Sequence, residues 1–381
     1  MEPPVPEPVA KPVARQAASP TPEPVDWVFA AQVASRLAGR DATAVSYLSA
    51  SLEPDFAEAT AHAENLVGEL TGLHALDGEQ ARASVVSRQA WVGANVVSFR
   101  RMLEPLTRRA SERLTVGPLA AVGRRVTGAE MGVLLGLVSH RVLGQYDLLL
   151  PDGNDGATSG DGDVIYYVGP NVLALEKRFD FRPRDFRLWL ALHEVTHRAQ
   201  FTGIPWMKQH FRSLVDRLLE LSEPDPQRLA NALRHAVDEL LHGRSPVGES
   251  GLVGLLASPE QKAVLDEVQA LMSLLEGHGN VVMDRLGREH VAGQERMSRT
   301  LATRRNAGGM GRQIQRLMGL EMKLRQYEVG ERFIGGVVDR AGFGAIDAAW
   351  SSPDQIPTLA ELDDPGAWLA RVGVKSTAGV G

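Results

Sequence analysis

Apolar residues along this chain recur mostly three and four positions apart, the spacing of one buried helix face. The run "WVFAAQVASRLA", Trp27 to Ala38, reads as a first helix with the Asp26 carboxylate as N-cap and Gly39 as its stop. In "PDFAEATAHAENLVGELTGL", Pro54 to Leu73, Pro54 stands where a first helical turn tolerates proline. A third helix is expected over Ala81 to Leu103, with Val85, Trp91, Val92, Val96, Phe99 and Leu103 on its apolar face. A fourth, more buried one is expected from Gly128 to Leu150, where Gly132 and Gly136 point to close helix packing. Another begins near Pro183 or Asp185 and is stopped by Gly203 and Pro205. Helical patterns resume in "WMKQHFRSLVDRLLEL", "PQRLANALRHAVDELL", "PEQKAVLDEVQALMSLLEG" and "MGRQIQRLMGLEMKLRQYEVGERFIGGVVDRA".

One segment breaks this rhythm. "VIYYV", Val164 to Val168, is β-branched and aromatic and is the best strand candidate. Before it stands "PDGNDGATSGDGD", Pro151 to Asp163, whose Asp and Gly content invites a calcium reading. The sixth position from Asp152 is Ala157 and not the glycine an EF-hand loop needs, so a plain loop is expected. "TRRNAGGMGRQ" lacks the P-loop pattern and reads as a turn between helices. The expected organisation is a Pro-rich tail over 1–25, a helical region over 26–150, a region carrying the chemistry over 151–350, and an extended tail over 351–381. Residues 26–350 should form one compact unit. The fold class is mainly α with a small strand element.

Composition narrows the classes. The 381 residues can bury a substantial core, and 44% are hydrophobic, as in an ordinary globular protein. A net charge of −6 argues against nucleic acid as a partner. Eight of the 22 prolines fall in the first 24 residues, which contain no apolar h-region, so neither a packed start nor a secretory leader is expected. The most membrane-like run, Met131 to Gly144, is too short to span and is interrupted by His140 and Arg141. There is no cysteine, so a metal would have to be held by His, Asp or Glu. A cytoplasmic protein with no membrane partner is expected.

The candidate chemistry lies in "ALHEVTHRAQ", Ala191 to Gln200. His193 and His197, four apart on a helix, can aim ring nitrogens at one ion. Glu194, about 100° round the helix, misses the ion but can reach a water bound to it. This is the H-E-x-x-H arrangement of two zinc ligands and a general base. Arg198, directly after it, is charged where an uncharged residue is usual. The competing explanation is a satisfied histidine pair beside a surface glutamate. A catalytic zinc needs a third protein ligand. Gln200 and Gly203 stand where a metzincin has its glycine and third histidine, so that class is excluded. The best source is "LMSLLEGHGNVVMD", Leu271 to Asp284, with Glu276 as the expected ligand and His278 as the alternative; otherwise Glu276 is a helix-end carboxylate in a salt bridge. Gly277 and Gly279 would permit close approach to a neighbouring helix or to the metal. Asn280 could hydrogen-bond a ligating histidine. His210, His235, His242 and His290 read as ordinary histidines, and Tyr327 as a buried tyrosine in preference to an oxyanion donor.

In chain order, "RVLGQYDLLL", "YVGPNVLALE", "LHEVTHRAQF", "LLEGHGNVVMD" and "QYEVGERF" resemble an actinobacterial zincin-like family of metallopeptidase or hydrolase, also labelled as associated with deazaflavin-cofactor biosynthesis. The resemblance covers Asp26 to Val372. It implies a zincin-like core embedded in a helical domain, Zn²⁺ on His193 and His197, Glu194 as base, and a glutamate of the "EGH" segment as third ligand. It supplies no substrate, and no residue supports binding a deazaflavin. The expected activity is hydrolysis of a peptide or amide bond in a peptide or protein substrate. The alternatives are a helical scaffold or partner-binding protein with a structural metal site, and a zinc amidohydrolase acting on a small molecule.

Overall fold

The structure is a computed structural model and describes residues 23–39, 50–104, 107, 118–146, 163–221, 258–306 and 320–375. Twelve α-helices run in the order α1 (Trp27–Ala38), α2 (Leu52–Thr71), α3 (Arg88–Met102), α4 (Pro118–Val138), α5 (Gly169–Phe179), α6 (Pro183–Gly203), α7 (Met207–Leu221), α8 (Pro259–His290), α9 (Gln294–Asn306), α10 (Leu320–Ala341), α11 (Leu359–Asp363) and α12 (Pro365–Arg371) among the described residues. Three strands, β1 (Arg82–Val86), β2 (Gly144–Tyr146) and β3 (Val164–Val168), form one sheet in the order β1-β3-β2. β1 runs parallel to β3 with Val85 opposite Tyr167, and β2 runs antiparallel with Gly144 opposite Tyr167. The chain is mainly α with a small strand element, as its periodicity predicts.

Local chemistry sets the boundaries. Asp26 accepts from the Phe29 amide at 2.9 Å, and α1 ends at Gly39 with φ of 72°. α6 opens with Pro183 at its first position, after Arg182 in the extended conformation that a residue before proline prefers. α8 opens on a capping box between Ser258 and Gln261. Gly132 and Gly136 let α4 lie against α1; a Cβ at Gly132 would stand 2.6 Å from the Ala30 carbonyl oxygen. No helix among the described residues is long and apolar enough to cross a membrane.

The expected helix over Ala81 to Leu103 is two elements. Residues Arg82–Val86 are strand β1, and the helix starts only at Arg88, where the Ser87 hydroxyl caps the Ala90 amide at 3.0 Å. The β-branched pair Val85 and Val86 gains more by extending the sheet beside β3 than by one further helical turn. The helix expected over Gly128 to Leu150 stops at Val138. The Asn171 amide takes the carbonyls of Ser139 and Val142 at 2.8 and 2.6 Å, carbonyls a continuing helix would use itself. β2 then forms from Gly144. The extended tail expected from Ser351 is packed through α11 and α12, with Trp368 fully buried edge-on to Phe333. Capping by Thr358 and Asp364 folds this stretch despite its prolines. The calcium-like loop up to residue 162, the helical pattern over 226–241 and the Gly-rich turn after Asn306 lie outside the described residues.

The main core joins α2, β3, α6, α8, α10 and α12 through Phe56, Tyr167, Phe186, Leu192, Leu271, Phe333 and Trp368. A smaller cluster joins α1, α3 and α4 around Trp27, Trp91 and Leu135, and Val168 of β3 reaches it. Two buried arginines tie α6 to its surroundings. Arg187 makes a two-toothed pair with Glu176 at 2.8 and 3.0 Å and also meets Asp55. Arg198, 2% exposed, binds Glu64 at 2.6 Å, the Glu79 carbonyl at 2.7 Å and the Asp163 carboxylate. Its charge, unusual directly after the two motif histidines, is matched by two carboxylates from other elements. Arg198→Met should lower the free energy of unfolding by about 3 kcal/mol, since Glu64 and Asp163 would keep charge with no counter-ion. An unchanged denaturant midpoint would contradict this role.

Candidate metal centre

The buried side of α6 carries Leu190, Leu192, Val195 and Ala199 into the core. That anchors the helix in rotation and turns His193 and His197 toward α8. Their rings meet edge to face, centroids 4.5 Å apart, with the two Nε2 atoms at 3.2 Å. Glu276 enters from α8, its Oε2 at 3.5 Å from His197 Nε2 and 3.8 Å from His193 Nε2. Donor atoms about 2.0–2.2 Å from one zinc ion at tetrahedral angles would stand roughly 3.3–3.6 Å apart. The three separations straddle that range, one just below it, one within it and one just above it, as at three corners of a slightly uneven site. Among the described residues these side chains form the one group of three that could hold a metal ion. The Glu276 side chain is 8% exposed, whereas those of His193 and His197 keep 19% and 15%, so the cluster reaches solvent on the histidine side.

Two glycines bring the helices together. A Cβ at Gly277 would collide with the backbone of Gly330 on α10. A Cβ at Gly279 would stand 3.2 Å from His197 Cε1 and 3.6 Å from His193 Cε1. The sequence offered two reasons for these glycines, a neighbouring helix or the metal. Gly277 meets the neighbouring helix α10, and Gly279 meets the rings of the two motif histidines.

Glu194, nearly buried, packs its carboxylate against the backbone of β2, where a Cβ at Gly144 would stand 2.6 Å from Glu194 Oε1. It is not the surface glutamate of the competing explanation. Burial alone would lower the pKa of His197, but the hydrogen bond to Glu276 and the charges of Glu276 and Glu194 outweigh it and push it up to about 9. A metal and a proton compete for that nitrogen. The Tyr167 hydroxyl, bonded to Thr60 Oγ1 at 2.9 Å, is held above the ordinary tyrosine range first by burial and further by Glu194, and so stays neutral.

His278 does not join the cluster. It is buried between Phe343 and Trp350 and is hydrogen-bonded to Gln200 at 2.9 Å. Burial and the nearby His197 push its pKa down to about 3. The hydrogen bond to a motif histidine, expected of Asn280, is made by Gln200, whose Oε1 lies 3.0 Å from His197 Nδ1. By spacing alone Gln200 served only to exclude a metzincin. The signal it carried was that of a long polar residue three positions after His197, on the same helix face as that histidine. His210 is edge-on to Trp206, and His290 is edge-on to His62. His235 and His242, and the side chain of Tyr327, lie outside the described residues.

Known proteins share this chain's sequence pattern and fold. The family described as zincin-like metallopeptidase matches residues 25–369. A crystal structure from Chloroflexus aurantiacus, described as a candidate hydrolase with a novel fold, is 29% identical with a TM-score of 0.68, covering 92% of this chain and 99% of that one. No curated protein matches.

The two glycines should separate by substitution. Gly277→Ala should cost about 1–3 kcal/mol of stability by forcing α8 and α10 apart. Gly279→Ala should leave stability near its native value, since alanine favours the helix, yet weaken zinc binding about tenfold by pressing on His197. Thermal unfolding and chelator competition read the two effects; an unweakened zinc affinity in Gly279→Ala would contradict the contact.

Proposed function

The chain belongs to the zincin-like metallopeptidase family, and on that premise we propose that it is a zinc-dependent hydrolase of peptide or amide bonds. His193, His197 and Glu276 are the protein ligands and Glu194 is the general base. The observation that carries this reading is the convergence of two imidazoles and one carboxylate on a single point, with donor separations of 3.2, 3.5 and 3.8 Å. Three ligands on a site open on one side suit catalysis better than the closed four-ligand cage of a structural zinc. A zinc ion there supplies a Lewis acid that acidifies water and polarises a carbonyl.

The side chains divide the remaining work. Glu276 brings one negative charge, which offsets part of the cation's charge and leaves the site electrophilic. Glu194, next to His193 in sequence but turned toward β2, stands outside the ligand set and so can take a proton from water and hand it to the leaving amine. Gly144 makes room for that carboxylate, since a Cβ there would stand 2.6 Å from Glu194 Oε1. β2 is the edge of the described sheet on the side of Glu194. An extended peptide backbone can pair with such an edge, which favours a peptide substrate over a compact small molecule. The deazaflavin association rests on the sequence resemblance alone and adds no group to this site.

Glu194→Gln should keep zinc and lower hydrolysis by about 10²–10⁴-fold. His193→Ala should lose both zinc and hydrolysis. A peptide-library screen with the zinc-loaded chain, then kinetics on the best substrate, measures these effects. Full activity in Glu194→Gln would remove that residue from the mechanism.

A further inference from the structure

Gln200 lies three residues after His197 on α6 and is fully buried. Its amide group has two ends that must be told apart. The nitrogen end lies 3.0 Å from the Leu275 carbonyl oxygen and 2.9 Å from His278 Nδ1, and the oxygen end lies 3.0 Å from His197 Nδ1. A backbone carbonyl can only accept, so the end facing Leu275 must be the NH₂ group. That leaves Oε1, which can only accept, toward His197. His197 Nδ1 must then be the donor, and His278 Nδ1 takes the second amide hydrogen.

We infer that Gln200 is a positioning residue that keeps the proton of His197 on Nδ1 and thereby leaves the Nε2 lone pair for the metal. The same amide spans the gap between the two ligand-bearing helices. It holds α6 at His197 and α8 at Leu275, the residue before Glu276, so it also sets the distance across which the ligands meet. His278 is the far stop of this relay, wedged at ring-centroid distances of 6.2 Å from Phe343 and 5.2 Å from Trp350. The segment Phe343–Trp350 thus bears on the metal centre through two hydrogen bonds, although it contributes no ligand. A neutral amide in this place, unlike a carboxylate, orients the imidazole without adding a further negative charge to the site.

This inference rests on the zinc reading above, and its test keeps the two apart. The first measurement is a long-range ¹H–¹⁵N correlation spectrum of the zinc-loaded chain with labelled histidine. His197 should carry its proton on Nδ1 and its metal on Nε2; the reverse assignment overturns the inference while leaving the zinc site intact. The second is chelator competition on Gln200→Leu, which matches the side chain roughly in size and removes both ends of the amide. Zinc affinity should fall about 10–100-fold, and the His197 signals should lose their single-tautomer pattern. Unchanged affinity with an unchanged His197 pattern overturns it. Should Gln200→Leu fail to fold, the spectrum of the unsubstituted chain still decides. A native chain that takes up no zinc refutes the site reading itself, and this inference with it.

Discussion

A helix can lie close against two neighbours at once only where no side chain stands between the backbones. In this molecule that constraint falls on α8. At Gly277 its backbone meets Gly330 of α10, and at Gly279 it meets the rings of His197 and His193. Glu276 stands just before this pair of glycines. Its carboxylate reaches the two imidazoles because nothing on the adjoining turn keeps α6 away. Glycine in a helix interior costs roughly 1 kcal/mol relative to alanine. The site is thus assembled at a local expense that the rest of the core must offset.

The offset comes from packing and from the paired charge of α6. Leu192 and Val195 anchor its apolar face, while Arg187 and Arg198 are each buried with carboxylates from other elements. Arg187 draws in α5 and α2, and Arg198 draws in α2 and the residue leading into β3. The helix that carries the histidines is therefore fixed in rotation by contacts that take no part in the chemistry. A rigid element of this kind is what a metal centre requires, because an error of an ångström in donor position separates a ligand from a bystander.

Much of this was legible in the chain. The helices with clear start or stop residues, α1, α2 and α6, begin and end close to where Asp26, Gly39, Pro54, Pro183 and Gly203 place them. The strand Val164–Val168 declared itself by composition. The histidine pair and Glu276 could be named because a four-residue spacing and a carboxylate beside an apolar stripe are local signals. What escaped depended on partners distant in sequence. Residues Arg82–Val86 continue the helical spacing of α3 backwards and become a strand only because β3 is there to pair with. The turn after Val138 is imposed by Asn171, and the C-terminal helices by caps amid prolines. Arg198 looked out of place until Glu64 and Asp163 were beside it. Gln200 had a role that no spacing rule announces, since its meaning lies in Leu275 and His278, about eighty residues away.

Fold and chemistry meet in one claim, that His193, His197 and Glu276 together hold a zinc ion. The most direct test is the zinc content of the purified chain after reconstitution, measured beside Glu276→Ala. About one zinc per native chain is expected, with loss of that zinc in Glu276→Ala while the helical content is preserved. Zinc retained at full occupancy in Glu276→Ala, or no zinc in the native chain, would contradict the claim.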